Sequence, residues 1–273
     1  MMTTELVAAY LAARSALGLA RPTLELDRWT LHLLSLRYQE LPTDPGPLEI
    51  LLGQGDWSVE TRRGHLRRLR TFYRWAVGRF ECPNPAASVA PPRRRRRLPR
   101  VLTIEQVPLV LAGAVDLRDR SLVELLLDTG IRIGEAWALR PADILQETLL
   151  VEGKTGQREV PISGSVRGLL LETILPWQGA KGPLTVGGLQ QMVRRCLARA
   201  GITSPKAGPH LLRHTFARLY ILAGGDQFSL STILGHTDIS STSIYVDMDL
   251  RAVISQHQKY SPMRALSRAW GLI

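Results

Sequence analysis

Six residues between positions 132 and 245 of this 273-residue chain carry side chains suited to phosphodiester chemistry; they are Arg132, Lys154, His210, Arg213, His236 and Tyr245. Two guanidinium groups can fork onto the non-bridging oxygens of a phosphate and stabilise the charge that develops there. A phenol is mostly protonated at neutral pH, so it needs a base or a strongly positive site to become a nucleophile. A lysine can protonate a departing alkoxide, and a histidine can accept the phenol's proton. Together these residues predict transfer of a phosphodiester to Tyr245.

Each of these residues also has an ordinary structural interpretation when taken alone. Arg132 follows a glycine turn in "TGIRIGEAWALR" and could be a surface residue, and Lys154 in "GKTG" could be a solvated turn residue. His210 and Arg213 in "HLLRHTFARLY" are spaced i, i+3, which places them on one helix face. Tyr245 closes "LGHTDISSTSIY" and could belong to the core. The combination, rather than any single residue, favours catalysis.

The pattern around these residues predicts a mostly α-helical protein with one small β-hairpin. Two apolar segments flank "GKTG" and predict a hairpin over residues 148–163. Helical periodicity predicts helices at about 121–129, 165–175, 186–200, 210–223 and 228–234. Earlier in the chain it predicts helices at about 3–17 and 23–39, a short one after Pro45, and a long one from an N-cap at Ser58 to about Phe80.

The long helix that begins after Ser58 is strongly basic on one side and apolar on the other. Leu66, Leu69, Phe72, Tyr73 and Val77 supply its expected buried stripe, and an amphipathic basic helix of this kind fits a DNA groove. A helix that binds a partner protein or a membrane surface is the alternative. The candidate DNA-binding residues of this helix are Arg62, Arg63, Arg67 and Arg70.

A segment rich in proline and arginine, residues 83–100, separates this helical region from the rest. Its five prolines disfavour helix and sheet, so it predicts a linker. We expect a basic tether that lies along a phosphate backbone; a solvated charge run and a nuclear-import signal are the alternatives. The candidate DNA-binding residues here are Arg93, Arg94, Arg95, Arg96 and Arg97. The predicted domains are 1–90, the basic linker 91–100, and 101–273 with a C-terminal tail.

Composition favours a polyanionic partner inside the cell. The chain has 35 Lys and Arg against 24 Asp and Glu, a formal net charge of +11, and such an excess favours nucleic acid because bound phosphates release counterions. The alternative is a basic surface kept for solubility. Two cysteines far apart argue against a disulfide scaffold and a structural zinc site. The N-terminus lacks a signal-peptide pattern and no apolar run is long enough to span a membrane, which predicts a soluble, cytoplasmic protein without membrane contact.

These motifs together resemble the tyrosine recombinases of the phage-integrase and Xer type, over most of the chain. The resemblance places the family's "TGxRxxE" on Arg132 and Glu135, its hairpin lysine on Lys154, and its "HxLRH" on His210, Arg213 and His214. Its "LGH" histidine and its nucleophile fall on His236 and Tyr245. The resemblance implies a helical domain that binds core DNA, followed by an α+β catalytic domain.

The family's mechanism implies a role for each of these residues. Tyr245 forms a 3′-phosphotyrosyl link, Arg132 and Arg213 hold the phosphate, Lys154 protonates the leaving oxygen and His210 accepts the tyrosyl proton. His236 supports the phosphate, and Glu135 and His214 orient their neighbours. No cofactor or metal is implied. The expected partners are double-stranded DNA with inverted-repeat core sites, and a homotetramer, or a heterotetramer with a second recombinase, that passes through a Holliday junction.

Three rival functions and one open question remain at the level of sequence. The rivals are a type IB topoisomerase-like enzyme that nicks and reseals DNA, a non-catalytic DNA-binding regulator of the same fold, and a metallohydrolase. The last would use His210 and His214, but Leu211 stands where the "HExxH" glutamate would be. The open question concerns the tail: Leu266, Trp270 and Leu272 form a plug for a neighbouring protomer, or this helix packs on its own domain or frays.

Overall fold

A computed structural model describes residues 2–93, 100–153, 156–173, 177–179, 182–235 and 250–269, with the backbone alone at 250–253, 265 and 267–269. The chain forms two compact units, Met1–Arg97 and Leu98–Ile273. The boundary between them falls inside the predicted linker 91–100. Within the described residues, every helix is too short or too polar to cross a bilayer.

The first unit is a set of helices around a small apolar core. Its helices are α1 (Thr3–Ala16), α2 (Arg21–Arg37), α3 (Gly46–Gly53), α4 (Val59–Val77) and α5 (Pro85–Ser88). The Ser58 hydroxyl accepts from the Thr61 amide at 3.1 Å, so α4 begins at the predicted N-cap. Leu66, Leu69, Phe72 and Tyr73 are buried as predicted. Val77 is 45% exposed because it is the last residue of α4, and the stripe ends instead at the buried Ala76.

Helix α5 lies in the proline-rich segment, where the sequence predicts neither helix nor sheet. Pro85 stands at its first position, where the missing amide hydrogen costs no intrahelical bond. The Asn84 side chain caps the helix by accepting from the Ala87 amide at 3.2 Å. A proline is therefore compatible with one turn of helix here, and the prediction of an irregular segment is wrong at this point.

The second unit combines the remaining helices with two short hairpins. Its helices are α6 (Gln106–Ala112), α7 (Leu117–Thr129), α8 (Ile133–Ala138), α9 (Gly164–Glu172), α10 (Val186–Arg199), α11 (Pro209–Leu222), α12 (Gln227–Leu234), α13 (Leu250–Tyr260) and α14 (Pro262–Ala269), with a 3₁₀ turn at Pro141–Asp143. Its strands are β1 (Thr148–Gly153), β2 (Gly156–Pro161), β3 (Gln178–Gly179) and β4 (Gly182–Pro183). The prediction of a mostly helical protein with a small antiparallel sheet is confirmed.

The main hairpin is anchored to the core on one face. Strands β1 and β2 pair antiparallel with Leu149 opposite Val160 and Gly153 opposite Gly156. Leu149, Val151 and Val160 are fully buried in the core that also contains most of helix α7, and β1 lies against α8. The core therefore fixes the base of the hairpin.

The C-terminal helices are attached to the end of α7 through the buried carboxylate of Asp128. This side chain accepts from the Ser163 amide at 2.8 Å and from the Ser261 hydroxyl. The Nε2 of His257, also fully buried, donates to the backbone carbonyl of Asp128 at 2.8 Å. Leu266 packs into the core of this unit, which corresponds to the second alternative for the tail, whereas Trp270 and Leu272 lie outside the described residues.

Candidate active site

The glycine turn between α7 and α8 can be formed only by glycine. Gly130 ends α7 in the left-handed conformation with φ +62°. A Cβ at this position would lie 2.3 Å from the Phe216 ring and 2.8 Å from Leu234, so there is no room for a side chain. The turn consequently brings the chain at Gly130 against α11 and α12, with the Gly130 carbonyl close to Arg213.

Arg213 is buried and fixes the turn and the end of α12 to α11. Its Nη1 donates to the Gly130 carbonyl at 2.6 Å and its Nη2 to the Leu234 carbonyl at 2.8 Å. Only 6% of the residue is exposed. Two of its five donor hydrogens are thus used by the fold, and the rest of the planar guanidinium is held in a fixed orientation.

Arg132 stands at the N-cap of α8, where its backbone and side chain are both bonded to Glu135. The Arg132 amide donates to Glu135 Oε2 at 2.8 Å, which satisfies one of the free amides at the start of the helix. Its Nη1 donates to Glu135 Oε1 at 3.0 Å, while 41% of the side chain remains exposed. Arg132 is therefore oriented by the fold and still accessible to a ligand.

Glu135 is also bonded to Arg158, a residue that the sequence analysis did not select. Nη1 and Nη2 of Arg158 donate to the two carboxylate oxygens of Glu135, each at 3.0 Å. Its Nε donates to the Ile233 carbonyl at 3.4 Å. A signal for Arg158 was present, because it stands two residues before the buried Val160 in β2 and opposite the buried Val151. A charged residue on the core-facing side of a strand requires a partner.

The electrostatics of the cluster follow from burial and from its excess of positive charge. Burial, together with the nearby cations Arg132 and Arg158, lowers the pKa of Arg213 to about 10, although Glu135 opposes this shift. Burial alone would raise the pKa of Glu135, but hydrogen bonds from Arg158 and Arg132 lower it below its ordinary value. Three guanidinium groups around one carboxylate leave net positive charge, as a phosphate-binding site requires.

His210 and His214 lie on α11 with Arg213. His210 is the second residue of the helix and is exposed, three positions before the buried Arg213. Partial desolvation, with His210 and Arg213 nearby, lowers the pKa of His214. Among the described residues no group of three His, Cys, Asp or Glu side chains is arranged to hold a metal ion.

The remaining three predicted catalytic residues, Lys154, His236 and Tyr245, lie outside the described residues. The described residues next to two of them do approach the cluster. Gly153 lies so close to Glu135 that a Cβ would be 3.0 Å from Oε1. Gly235 ends α12 with φ +60°, and a Cβ there would be 2.9 Å from the Arg158 guanidinium. The described part of the structure therefore brings Arg132, Glu135, His210, Arg213 and His214 into one region, with Arg158.

The arginines predicted to bind DNA in the first unit fall into two groups. Arg63 donates to the Pro92 carbonyl at 2.8 Å, and Arg70 donates to Ala86 at 3.1 Å and Val89 at 2.8 Å, so both hold the proline-rich segment against α4. Arg62 is half-buried and donates weakly to Gly55. Arg67 is exposed, and with Arg74 it lines a groove of about 520 Å³ along α4. Arg93 is exposed, and Arg94 to Arg97 lie outside the described residues.

Comparison with known proteins gives consistent matches. The model of the phage integrase family matches residues 100–251. The tyrosine recombinase XerC of Rhodospirillum centenum is 32% identical over 226 residues, which cover 74% of this chain and 66% of the relative. The tyrosine recombinase XerD of Caulobacter vibrioides is 31% identical over 221 residues, which cover 71% of this chain and 72% of the relative.

Solved structures share the fold at low sequence identity. A lambda integrase fragment, crystallised as a dimer bound to a COC′ core site, superposes with a TM-score of 0.71 at 20% identity and covers 91% of this chain and 100% of that one. A lambda integrase tetramer bound to a Holliday junction gives a TM-score of 0.69 at 19% identity and covers 92% of this chain and 81% of that one. The identity is low enough that these likenesses concern the fold alone.

Proposed function

The chain belongs to the phage integrase family and is a tyrosine-type site-specific DNA recombinase, and from this premise we propose that Tyr245 is its nucleophile and that the cluster around Glu135 binds the scissile phosphate. The observation that carries the proposal is the pair Arg132 and Arg213. One guanidinium is exposed and the other is locked by two backbone carbonyls, and both lie at a region of net positive charge. Two oriented guanidinium groups suit the non-bridging oxygens of one phosphate.

In the proposed first step, the Tyr245 hydroxyl oxygen attacks phosphorus and its proton passes to His210. The bond from phosphorus to the 5′ oxygen breaks, and Lys154 supplies the proton that this oxygen needs to leave as a hydroxyl. His236 supports the phosphate. Arg132 and Arg213 stabilise the charge on the non-bridging oxygens, an effect typically worth ~3 kcal/mol per donor. Glu135 and His214 orient these groups.

In the proposed second step, a 5′-hydroxyl of the partner strand attacks the phosphotyrosyl link and releases Tyr245. One phosphodiester replaces another, so the exchange needs no external energy source. We propose that four protomers perform it on two DNA sites with inverted-repeat core sequences. The first unit would bind the core DNA, and the basic linker would follow the phosphate backbone. We propose that the exchange takes place in the cytoplasm.

The experiment that tests the proposal is covalent trapping on nicked DNA that carries candidate inverted repeats from the flanking genome. Wild type should give a DNA-linked band on a denaturing gel, and Tyr245→Phe should bind the same DNA without forming the band. A persistent adduct in Tyr245→Phe would assign the nucleophile elsewhere. Tight DNA binding without an adduct in wild type, even with a second recombinase added, would favour the non-catalytic regulator.

A further inference from the structure

Arg158 joins three segments that carry catalytic residues. It is the third residue of β2; its guanidinium donates to Glu135 of α8; and its Nε donates to the Ile233 carbonyl near the end of α12. In the sequence, Lys154 stands four residues before Arg158, and His236 stands three residues after Ile233. Its side chain is only 18% exposed, so these contacts account for most of its surface.

The contacts of Glu135 show what Arg158 does for Arg132. Arg158 uses both terminal nitrogens on both oxygens of Glu135, a bidentate pairing that holds the carboxylate in one orientation. Glu135 bonds to the side chain of Arg132 through a single nitrogen, Nη1. Without Arg158, the carboxylate would be held only by the amide and Nη1 of Arg132. We expect it to shift and pair more closely with the Arg132 guanidinium, which would turn that group away from a ligand.

The space around Arg158 supports a specific geometric requirement. Gly153 and Gly235 both lie against this residue, and a Cβ at either would come within 3.1 Å of the guanidinium. Two glycines from different segments thus leave room for a planar guanidinium. A lysine has a single terminal nitrogen and cannot reproduce the two parallel bonds.

We propose that Arg158 is a positioning residue for strand cleavage, which acts through Glu135 to keep Arg132 directed at the scissile phosphate. The proposal rests on the proposed function, because it assumes that Arg132 binds this phosphate. Arg158 itself does not contact the DNA in this scheme. Its loss should therefore slow cleavage at saturating DNA while leaving affinity for DNA nearly unchanged.

The test measures the single-turnover rate of adduct formation and the Kd for the same nicked DNA. The variants are Arg158→Met, Arg158→Lys, Glu135→Gln and the double variant Arg158→Met/Glu135→Gln. The matched control is Arg120→Met, which removes an arginine that pairs with the buried Glu124 at 2.7 Å on α7. Arg158→Met should slow adduct formation by about 10- to 100-fold, the usual effect of a small displacement of a catalytic group, with Kd within about 3-fold of wild type.

The double variant distinguishes a route through Glu135 from an independent role. We expect it to be no slower than the slower single variant, because both changes break one interaction. Multiplicative losses, or a wild-type rate in Arg158→Met, would overturn the proposal. If Arg158→Met does not fold, Arg158→Lys keeps the charge and should show the same loss of rate without loss of DNA binding. Failure of the proposed function would give a different result from failure of this proposal, because wild type itself would then form no adduct.

Discussion

Arg132 and Arg213 are both proposed to bind the scissile phosphate, but the fold already uses them to different extents. Arg132 is held by one carboxylate and is 41% exposed. Arg213 is buried, and two backbone carbonyls depend on it. At the scale of single residues, we therefore expect loss of Arg132 to affect activity alone, and loss of Arg213 to affect both activity and stability.

Replacing each arginine by methionine should give different results. Arg132→Met should reduce the rate of adduct formation by about 100- to 1,000-fold and change Tm little. Arg213→Met should reduce the rate similarly and also lower Tm by about 5–10 °C, because unpaired buried carbonyls cost ~1–3 kcal/mol each. Thermal denaturation alongside covalent trapping checks both. An equal Tm for the two variants would contradict the assigned contacts.

His65 should make the stability of the first unit depend on pH. Thr30 Oγ1 donates to the Leu26 carbonyl, so the neutral ring donates from Nδ1 to Thr30 Oγ1 at 2.9 Å. Trp57 stacks on the ring at 4.4 Å. Burial, and then Arg68, lowers the pKa of His65. The unfolded chain therefore binds this proton more readily, so its contribution to stability is present above pH ~6.5 and is lost as the pH falls.

The corresponding measurement is Tm at pH 7.5 and pH 5.5. Wild type should lose stability on acidification, and His65→Phe should lose less, although its Tm at pH 7.5 is lower because the bond to Thr30 is missing. His32→Gln, a change at an exposed histidine of α2, is the control and should behave as wild type. An unchanged pH dependence in His65→Phe would contradict the assignment of the pH dependence to His65.

At the scale of elements, the arginines of helix α4 differ in what they contact. Some are bonded to backbone carbonyls of the same unit, and others are exposed and available to a ligand. All four arginines line the groove along α4, but Arg63 and Arg70 hold the segment from Ala86 to Pro92, whereas Arg67 and Arg74 are exposed. A helix whose arginines all face DNA would not show this division. Substitutions on α4 should consequently affect either folding or DNA affinity.

Arg70→Met and Arg67→Met test this division. Arg70→Met should lower the free energy of unfolding by about 1–3 kcal/mol, since two carbonyls lose a charged donor. Arg67→Met should leave stability unchanged and weaken DNA binding, with the slope of log K against log salt reduced by about 0.9 for one phosphate contact. Chemical denaturation and salt-dependent binding measure the two effects. If Arg70→Met also weakens DNA binding under conditions where the variant is fully folded, Arg70 contacts the DNA as well.

The sequence predicted helices and strands correctly where a single local feature, such as a turn or an N-cap residue, determines them. Two apolar segments on either side of "GKTG" identified the hairpin at 148–163, and Ser58 marked the start of α4. Helix α5 was not predicted, since local capping by Asn84 outweighs the usual meaning of proline. Motif spacing likewise selected Arg132, Glu135 and Arg213. Arg158 was missed because its importance depends on which residues its strand faces, and a strand's partners follow from the tertiary fold.

At the scale of the whole molecule, the excess of positive charge is concentrated where two units join in sequence. The chain carries a net charge of +11, and five of its arginines stand in the run 93–97. The salt dependence of DNA affinity tests whether these residues bind DNA better than affinity at one salt concentration does, because each phosphate contact releases counterions.

Replacing Arg93 to Arg97 by serine should lower the salt slope of DNA binding by up to about 4.5, at 0.9 per phosphate contact. The Tm of the variant should match wild type. The same number of substitutions on exposed lysines and arginines elsewhere, such as Arg28 or Arg195, provides the comparison. An unchanged slope would favour the solvated charge run over the tether.

The attachment of the last helices to Asp128 also has a consequence for synthesis of the protein on the ribosome. Asp128 stands two residues before Gly130, and it depends on Ser261 and His257 near the C-terminus for two of its bonds. A nascent chain that has emerged only as far as α12 contains Arg132 and Arg213, but it lacks His257 and Ser261. We therefore expect the turn at Gly130 to reach its final conformation only after residues 257–261 have left the ribosome, close to release of the chain.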